Sequence, residues 1–445
     1  MPQARYKPLV DRLAADIRSG RLLPGTRLPT HRQLAAREHL ALVTATRVYA
    51  ELEAMGLVSG EPGRGTFVKE TALYGGREVD LQSAAADTVD LSFNYPALPG
   101  QAELLRAGLR QLATAGDLEA LLRYQPHAGR LQDRAAVARH LLRRGLAVPA
   151  AQVLLVDGAQ HGLATALMAL LQPGDVVAVD ALTYPGFKLI AQTQHLELAP
   201  VPAAGNGTDL DALEKLCQRR KVRAIYTMPT LNNPLGWVTD AAHRQALVAI
   251  ARKHGLLIIE DGAYAFLAEA APPPLAMLAP ECTVYISGFS KNVAAGLRVG
   301  FMAVPAPWVD KMERVIRATI WNTAGVMTAL ACSWIDDGTV ARLEQEKRRD
   351  ARQRQRLAAE VLGPLPRVGH PGSYFVWLPL ADEVRADQVA MALVRERVSV
   401  STAQPFATSA QVPHAIRLAL GSVAPELLRL ALGKVRLAIE HHTGR

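Results

Sequence analysis

Cysteine is scarce in this chain of 445 residues: there are three, Cys217, Cys282 and Cys332, far apart in sequence. An odd, dispersed set excludes a disulfide framework and lacks the spacing of a metal site, so no metal is expected. The thiols read as reduced, in a cytoplasmic protein. Long apolar runs are missing too. None reaches the roughly 20 residues a membrane span requires, so no membrane partner is expected. The opening stretch "MPQARYKPLVDRLAADIRSG" scatters charges where a secretory leader needs an apolar centre. Internal repeats and low-complexity tracts are also absent, which argues against solenoid architecture and global disorder.

What is present is apolar material in quantity. Hydrophobic residues make up 49% of the chain and mean hydropathy is slightly positive. At this length two or three domains are expected. Net charge is +9, which favours polyanions without identifying one. Its distribution says more. Residues 1–70 contain 11 Lys/Arg against 7 Asp/Glu, an excess of +4. A second basic stretch, "RLEQEKRRDARQRQR" from Arg342 to Arg356, reads as the solvated face of a long helix.

Residues 5–70 carry the signals of three helices and a hairpin. In "YKPLVDRLAADIRSG", Leu9, Leu13 and Ile17 share one helical face, and Gly20 can end the helix. Pro24-Gly25 marks a turn. Thr30 is a good N-cap for the next helix. "LVTATRVYAELEAMG" predicts a third helix ending near Gly56. "LVSGEPGRGTFV" predicts two short strands around the turn Gly60–Gly65. This is a winged helix-turn-helix pattern, in which a helix enters the major groove of double-stranded DNA and the wing follows the backbone. Residues 71–90, polar and without period, read as a linker.

From about residue 91 strands and helices alternate. "QVLLVD", "VVAVD", "VRAIYTM", "LLIIEDG" and "TVYISG" are strand runs, with a helix over 161–171 after the turn "GAQ" and another over 239–254. Such alternation predicts an α/β fold: a mostly parallel sheet covered on both faces. Beyond about residue 330 a smaller C-terminal subdomain, 331–445, is expected.

In open parallel sheets, ligands sit beyond the carboxyl ends of the strands. Four features fall at such ends. Gly158-Ala159-Gln160 follows one strand and opens a helix whose N–H groups suit a phosphate. Asp261 follows "LLIIE", Lys291 follows "TVYISGFS", and the turn Asn233-Pro234-Leu235-Gly236 follows "AIYTMP". Each alone is ambiguous; their shared location is the signal.

The combination has a family resemblance. Residues 91–445 resemble the fold-type I pyridoxal-phosphate aminotransferases. The first seventy resemble the GntR-type winged helix head, through "GTRLPTHRQLA" and "LEAMGLVSGEPGRGTFV". The fusion resembles the MocR-like subfamily of GntR transcription regulators. That resemblance implies pyridoxal 5'-phosphate as cofactor, with Lys291 forming the internal aldimine and Asp261 pairing with the pyridine nitrogen. It implies that Tyr264 and Asn233 bond the phenolic oxygen and that Tyr184 stacks on the ring. Gly158, Ala159, Gln160, Ser290 and Arg298 would hold the phosphate, with Arg298 as fixed cation.

Tyr124 resembles the tyrosine that reaches the phosphate from a second subunit, which implies a homodimer, head-to-tail. Arg417 resembles the arginine that clamps the carboxylate of an amino-acid substrate or effector. In the head, Arg32 matches a DNA-contacting arginine. Thr44, Thr46 and Arg47 lie on the expected recognition helix, Arg64 and Thr66 on the wing. Two departures stand out. Gly288 occupies a place where the family usually has Ser or Thr, so one phosphate hydrogen bond is expected to be missing or shifted. Ala41 stands where such helices often begin with a Ser cap, at an expected cost of about 1 kcal/mol.

Three readings follow. The first is a transcription regulator that binds an operator and senses an amino acid or amine through aldimine exchange at Lys291. The second is a working aminotransferase with a DNA-binding head, in which Lys291, Asp261 and Tyr264 are the catalytic groups. The third, a degenerate dimerisation scaffold, has no use for the constellation of Lys291, Asp261, Asn233, Tyr264 and Arg298.

Overall fold

A computed structural model of the chain describes residues 6–18, 21–61, 64–69, 88–115 and 117–443. Gly20, Glu70 and most of the expected linker, residues 71–87, lie outside these residues, as do Pro62 and Gly63 of the wing turn.

The head is three helices and a hairpin. Lys7–Arg18 buries Leu9, Val10 and Ile17 against the other two helices; Leu13 is only partly buried. His31–Arg37 begins at a capping box, with the Thr30 hydroxyl bonded to the Gln33 N–H and the Gln33 side chain returning to Thr30. Two otherwise orphaned helix-end donors are thereby satisfied. Leu42–Ala54 starts at Ala41 with no side-chain cap, as its sequence requires. Gly56, at φ +71°, turns the chain into the hairpin Val58–Glu61 and Gly65–Val68. Leu28, Leu34, Val48 and Leu52 close a core private to the head.

The large domain is built on seven strands. In spatial order they are Val153–Val156, Gly300–Ala303, Thr283–Gly288, Leu257–Asp261, Val222–Thr227, Val176–Asp180 and Glu197–Val201. All neighbours are parallel except Gly300–Ala303, which runs antiparallel to both its partners. The five strand runs predicted from sequence are all here. Glu197–Val201 and Gly300–Ala303 were not anticipated. The first, "ELAPV", is an edge strand with a Glu and a Pro, which edges tolerate and centres do not. The second is a four-residue run straight after the Arg298 turn.

The small subdomain has a three-stranded sheet, Phe375–Pro379, Ala415–Ala419 and Ser401–Thr402, under the helices Ala386–Arg395 and Pro425–His442. Val89–Asp90, placed by sequence at the linker's end, is instead a strand parallel to Val398–Ser399. The boundary expected at 331 also moves. Leu330 and Ile335 of helix Gly325–Asp336 pack with Val137 and Leu155 of the large domain. The core changes within helix Thr339–Leu362: Val340 and Leu343 belong to the large domain, Ala358 and Leu362 to the small one.

That helix also corrects the reading of "RLEQEKRRDARQRQR" as a solvated face. Lys347 and Arg354 are buried, each capturing backbone carbonyls from other segments. Among the described residues no helix is long and apolar enough to cross a membrane.

The head docks on the small subdomain through one buried arginine. Arg385 stacks over the Phe67 ring at 3.6 Å, bonds both Asp387 carboxylate oxygens (3.1 and 2.6 Å) and bonds Glu61 of the wing. Removing it takes the shared cation from Asp387 and Glu61 and leaves Glu61 only the more distant Arg64, at 3.9 Å. Arg385→Ala is therefore expected to speed amide exchange over residues 65–68 by at least about tenfold. Unchanged exchange there would show that the contact does not hold the wing.

Candidate functional site

The strand ends converge on a cavity of about 140 Å³. Lys291, Asp261, Asn233, Tyr264, Tyr184, Ala159, Gln160, Ser290 and Arg298 all line it, from segments spread over some 140 residues of sequence. Gly158, also expected at the site, is not at the cavity wall; it is the first residue of helix Gly158–Leu170, in a left-handed conformation at φ +77°. A Cβ there would come within 2.7 Å of the Arg298 guanidinium, so glycine is required by both φ and space.

Asp261 ends its strand 2% exposed. Its carboxylate accepts from the Ala263 N–H and the Tyr226 hydroxyl, both at 2.9 Å. Burial pushes its pKa up, while these two hydrogen bonds and the Lys291 charge pull the other way. A cationic partner at the carboxylate would oppose the burial effect further. On the same strand Glu260 faces the opposite side of the sheet, where burial raises it to about 7. The pleat thus gives adjacent carboxyls separate surroundings.

Lys291 donates from Nζ to the Asn94 carbonyl and lies 5.8 Å from the centre of the Tyr264 ring. Tyr264 is buried, its hydroxyl accepting from Asn94 Nδ2 at 3.2 Å. Tyr184 donates to Gln160 Oε1 at 3.0 Å, and Gln160 in turn donates to the Gly186 carbonyl. Arg298, itself left-handed at φ 51°, reaches the Asp157 carbonyl at 3.1 Å and Ser290 Oγ at 3.4 Å. Helix Gly158–Leu170 has no side-chain cap, which leaves its first N–H groups beside this arginine.

The pocket fits pyridoxal phosphate on its own chemistry. The Asn233 side-chain oxygen is buried without a hydrogen-bond partner at the pocket wall, an unmet polar group where a ligand oxygen or proton would sit. A fixed cation, a helix N-terminus and a hydroxyl meet at one end, an anion's needs. The buried Asp261 carboxylate and the Lys291 amine complete the lining.

Gly288 has a local explanation. A Cβ there would stand 3.0 Å from the Val299 carbonyl of the antiparallel neighbour, tighter than an ordinary contact. Ser287 does not substitute for the missing hydroxyl, because its Oγ is buried and donates to the Gly262 carbonyl at 3.1 Å. The hydroxyl this segment does place at the pocket wall is that of Ser290.

Two expected residues lie elsewhere. Tyr124 is 86% exposed, its ring 5.4 Å from that of Trp321, outside the pocket. Arg417, 6% exposed, is not at the cavity wall either; it donates to the Ser92 carbonyl, and its Nε is buried without a hydrogen-bond partner. Burial lowers its pKa, with Tyr264 and Asp90 opposing.

In the head, Arg32, Thr46 and Arg47 are exposed and Thr44 and Arg64 partly so. Arg47 packs over the Tyr6 ring and lies 3.6 Å from Glu51. Thr66 is 9% exposed, too enclosed to present its side chain to DNA as the protein stands.

Sequence reasoning missed Asn94, Tyr226 and Lys347. Tyr226 and Asn94 hold Asp261 and Tyr264 by bonds across 35 and 170 residues. Lys347 is wholly buried and donates to the carbonyls of Pro96, Lys291 and Val293 at 2.8, 3.0 and 2.9 Å. The residue pattern carried no signal for any of the three, because their partners are set by chain crossings.

Residues 86–435 match the family "Aminotransferase class I and II", and residues 5–68 match "Bacterial regulatory proteins, gntR family". The HTH-type transcriptional regulator YdeF of Bacillus subtilis (strain 168) is 26% identical over 93% of this chain and 90% of its own length. The HTH-type transcriptional regulator TauR of Rhodobacter capsulatus is 31% identical over 68% of each chain. Among solved structures, LysN of Thermus thermophilus is an α-aminoadipate aminotransferase complexed with N-(5'-phosphopyridoxyl)-L-leucine. It superposes with a TM-score of 0.74 at 25% identity, covering 82% of this chain and 95% of LysN. With both halves matched in one polypeptide, around a lysine, aspartate, asparagine and arginine gathered in one pocket, the chain belongs to the MocR-like subfamily of GntR regulators, a winged helix head fused to a class I and II aminotransferase domain.

Proposed function

We propose that this protein is a cytoplasmic transcription regulator that binds an operator through its head. In this reading the aminotransferase-like domain binds pyridoxal 5'-phosphate and senses an amino acid or amine. The observation that carries the reading is the pocket around Lys291, joined in one chain to a GntR-type head. When bound, the cofactor supplies an aldehyde open to amines and a ring that draws electrons.

The chain's own groups have the following tasks. Lys291 Nζ is the amine that holds the cofactor, and it is placed to accept or return a proton. Asp261, held by Tyr226 and the Ala263 N–H, keeps a ring nitrogen protonated. Tyr264 and the Asn233 amide orient the opposite edge of the ring, and Tyr184 covers its face. Arg298, Ser290 and the N–H groups of Ala159 and Gln160 fix the phosphate. Arg417 takes the effector's carboxylate through the N–H groups it has in reserve, and Tyr124 completes the phosphate site of a partner subunit in a head-to-tail homodimer.

Regulation requires the effector to favour one arrangement of the domains over another; equal affinity for both would switch nothing. The Arg385 contact offers an arrangement that such a preference could bias.

The aminotransferase reading rests on the same geometry, since Lys291 could move a proton as well as hold the cofactor. A scan of amino acids and amines separates the two. Visible absorbance and operator affinity are followed together, with product analysis. A spectral change that alters operator binding without keto-acid product supports the sensor; sustained turnover supports the enzyme. For the head, Arg32→Ala and Arg47→Ala are each expected to weaken operator binding. Each phosphate-binding cation removed should also reduce the slope of log affinity against log salt by about 1. Wild-type binding by both variants would remove these residues from the interface.

A further inference from the structure

The basic stretch that sequence assigned to a solvated helix face has a third destination besides burial and solvent. Its residues Arg352 and Arg356 form one wall of a cleft of about 380 Å³ in the small subdomain. The opposite wall is the segment Arg367–Pro371. The floor is apolar, made by Ala359, Val368 and Val376. The cleft shares no residue with the cofactor pocket.

The cleft is lined by donors. Arg356 is exposed and Arg367 spends one N–H on the Gly363 carbonyl at 2.9 Å, leaving its others available. His370 Nδ1 accepts the Gly372 N–H at 3.0 Å, so its proton rests on Nε2, which is left as a donor. Burial lowers the His370 pKa, in keeping with a neutral ring in that tautomer. The Gln355 amide is turned away, donating to the Ser373 and Phe375 carbonyls. No carboxylate is found among the described residues that line the cleft. Glu269, in the adjoining recess, is taken up by Arg348 and Arg352. Arg352 is neutralised by Glu269, but Arg356 and Arg367 line the same cleft with no carboxylate partner among the described residues, and an anion between them would relieve their repulsion.

We propose that this cleft is a second ligand site, for a small organic phosphate. The arginines and His370 bond the phosphoryl oxygens and the apolar floor takes the organic body. A concave site with an apolar floor suits a compact ligand; a duplex backbone needs an open rail of cations. The site is also wired to the cofactor pocket. A Cβ on Gly236 would lie 3.2 Å from both Gly369 Cα and His370 N, so the cleft's far wall abuts the turn that carries Asn233. A ligand that draws His370 inward acts on the Asn233 amide through that contact.

The test is titration calorimetry of the full-length protein with phenyl phosphate, against inorganic phosphate and phenol. Phenyl phosphate is expected to bind once per chain at this cleft, with inorganic phosphate at least about tenfold weaker. Phenol is expected not to bind. R356A/R367A is expected to lose at least about tenfold in phenyl phosphate affinity while keeping the visible absorbance and melting temperature of the parent. Binding that survives in R356A/R367A would overturn the proposal. So would binding lost in Arg298→Ala instead, which would place the ligand in the cofactor pocket. A double variant that lowers only the salt-dependent affinity for mixed-sequence duplex DNA, with no phenyl phosphate bound by the parent, would make the patch a DNA contact and would also overturn it.

Discussion

Lys291→Ala is expected to abolish covalent attachment of pyridoxal phosphate. The purified parent should be yellow, and borohydride should fix the cofactor to Lys291, where mass spectrometry of the digest will find it. The variant should show neither the visible band nor the adduct. The reason is positional: Lys291 is the one lysine among the described residues at the pocket wall, between the Asn94 carbonyl and the Tyr264 ring. The nearest alternative, Lys347, is held on three carbonyls and does not line the cavity. Weak reversible binding should remain, because Arg298, Ser290 and the helix N-terminus are untouched. Charge-assisted hydrogen bonds of that kind are worth roughly 1.5–3 kcal/mol each. The head has its own core, so operator binding should persist in some form. An unchanged absorbance spectrum after this substitution would end the cofactor assignment.

Lys347→Met should be the most damaging single change away from the pocket wall. The side chains are similar in length, so packing is nearly conserved, but the Pro96 and Lys291 carbonyls lose their donor, while that of Val293 keeps Gln101 Nε2. At about 1–3 kcal/mol for each buried group left unsatisfied, a loss of several kcal/mol is expected, a large part of a domain's stability. One of the two carbonyls left without a donor belongs to Lys291, so the segment carrying the cofactor lysine should loosen first.

The pH dependence identifies the cause. Burial, then the charge of Lys291, press Lys347 down to about 7, with Asp350 opposing. An unfolded lysine titrates near about 10.4. Between those values the unfolded chain binds the extra proton, so this group makes stability rise with pH from about 7 towards about 10. Denaturant unfolding of parent and variant at about pH 7 and about pH 9 should therefore show a stability gain in the parent that shrinks in Lys347→Met. Equal gains in the two proteins would mean that Lys347 is not the titrating group.

Much of the site was legible because it lies at strand ends. "LLIIED" and "TVYISGFSK" are apolar runs that stop at a chemical residue, and in a parallel sheet all such stops face one edge. Asp261, Lys291, Asn233 and Gly158 could therefore be placed together from their spacing after strand runs. Thr30 and Ala41 were legible for a local reason, since a helix end is decided by its own residue and the three after it. Misreadings arose where residues act over long range. "RLEQEKRRDARQRQR" looks solvated because helical charge runs usually are, yet Lys347 meets Pro96 and Lys291, and Arg354 meets Leu420 and Val423. Thr66 reads as a wing residue by position, yet it is buried together with Phe67 and Val68, on both faces of the strand.

The sequence by itself determined the two halves, the strand runs of the large domain and the residues that follow their ends, because hydrophobic period and turn chemistry are local properties. Tertiary structure alone decided which buried groups hold them. The Tyr226 bond to Asp261, the Asn94 bond to Tyr264, the three carbonyls on Lys347, the tight approach of the neighbouring backbone to Gly288 and the Arg385 clasp on the wing are all set by tertiary contacts. Such contacts depend on where one chain segment crosses another, and no residue pattern encodes that crossing until the sheet and its covering helices have closed.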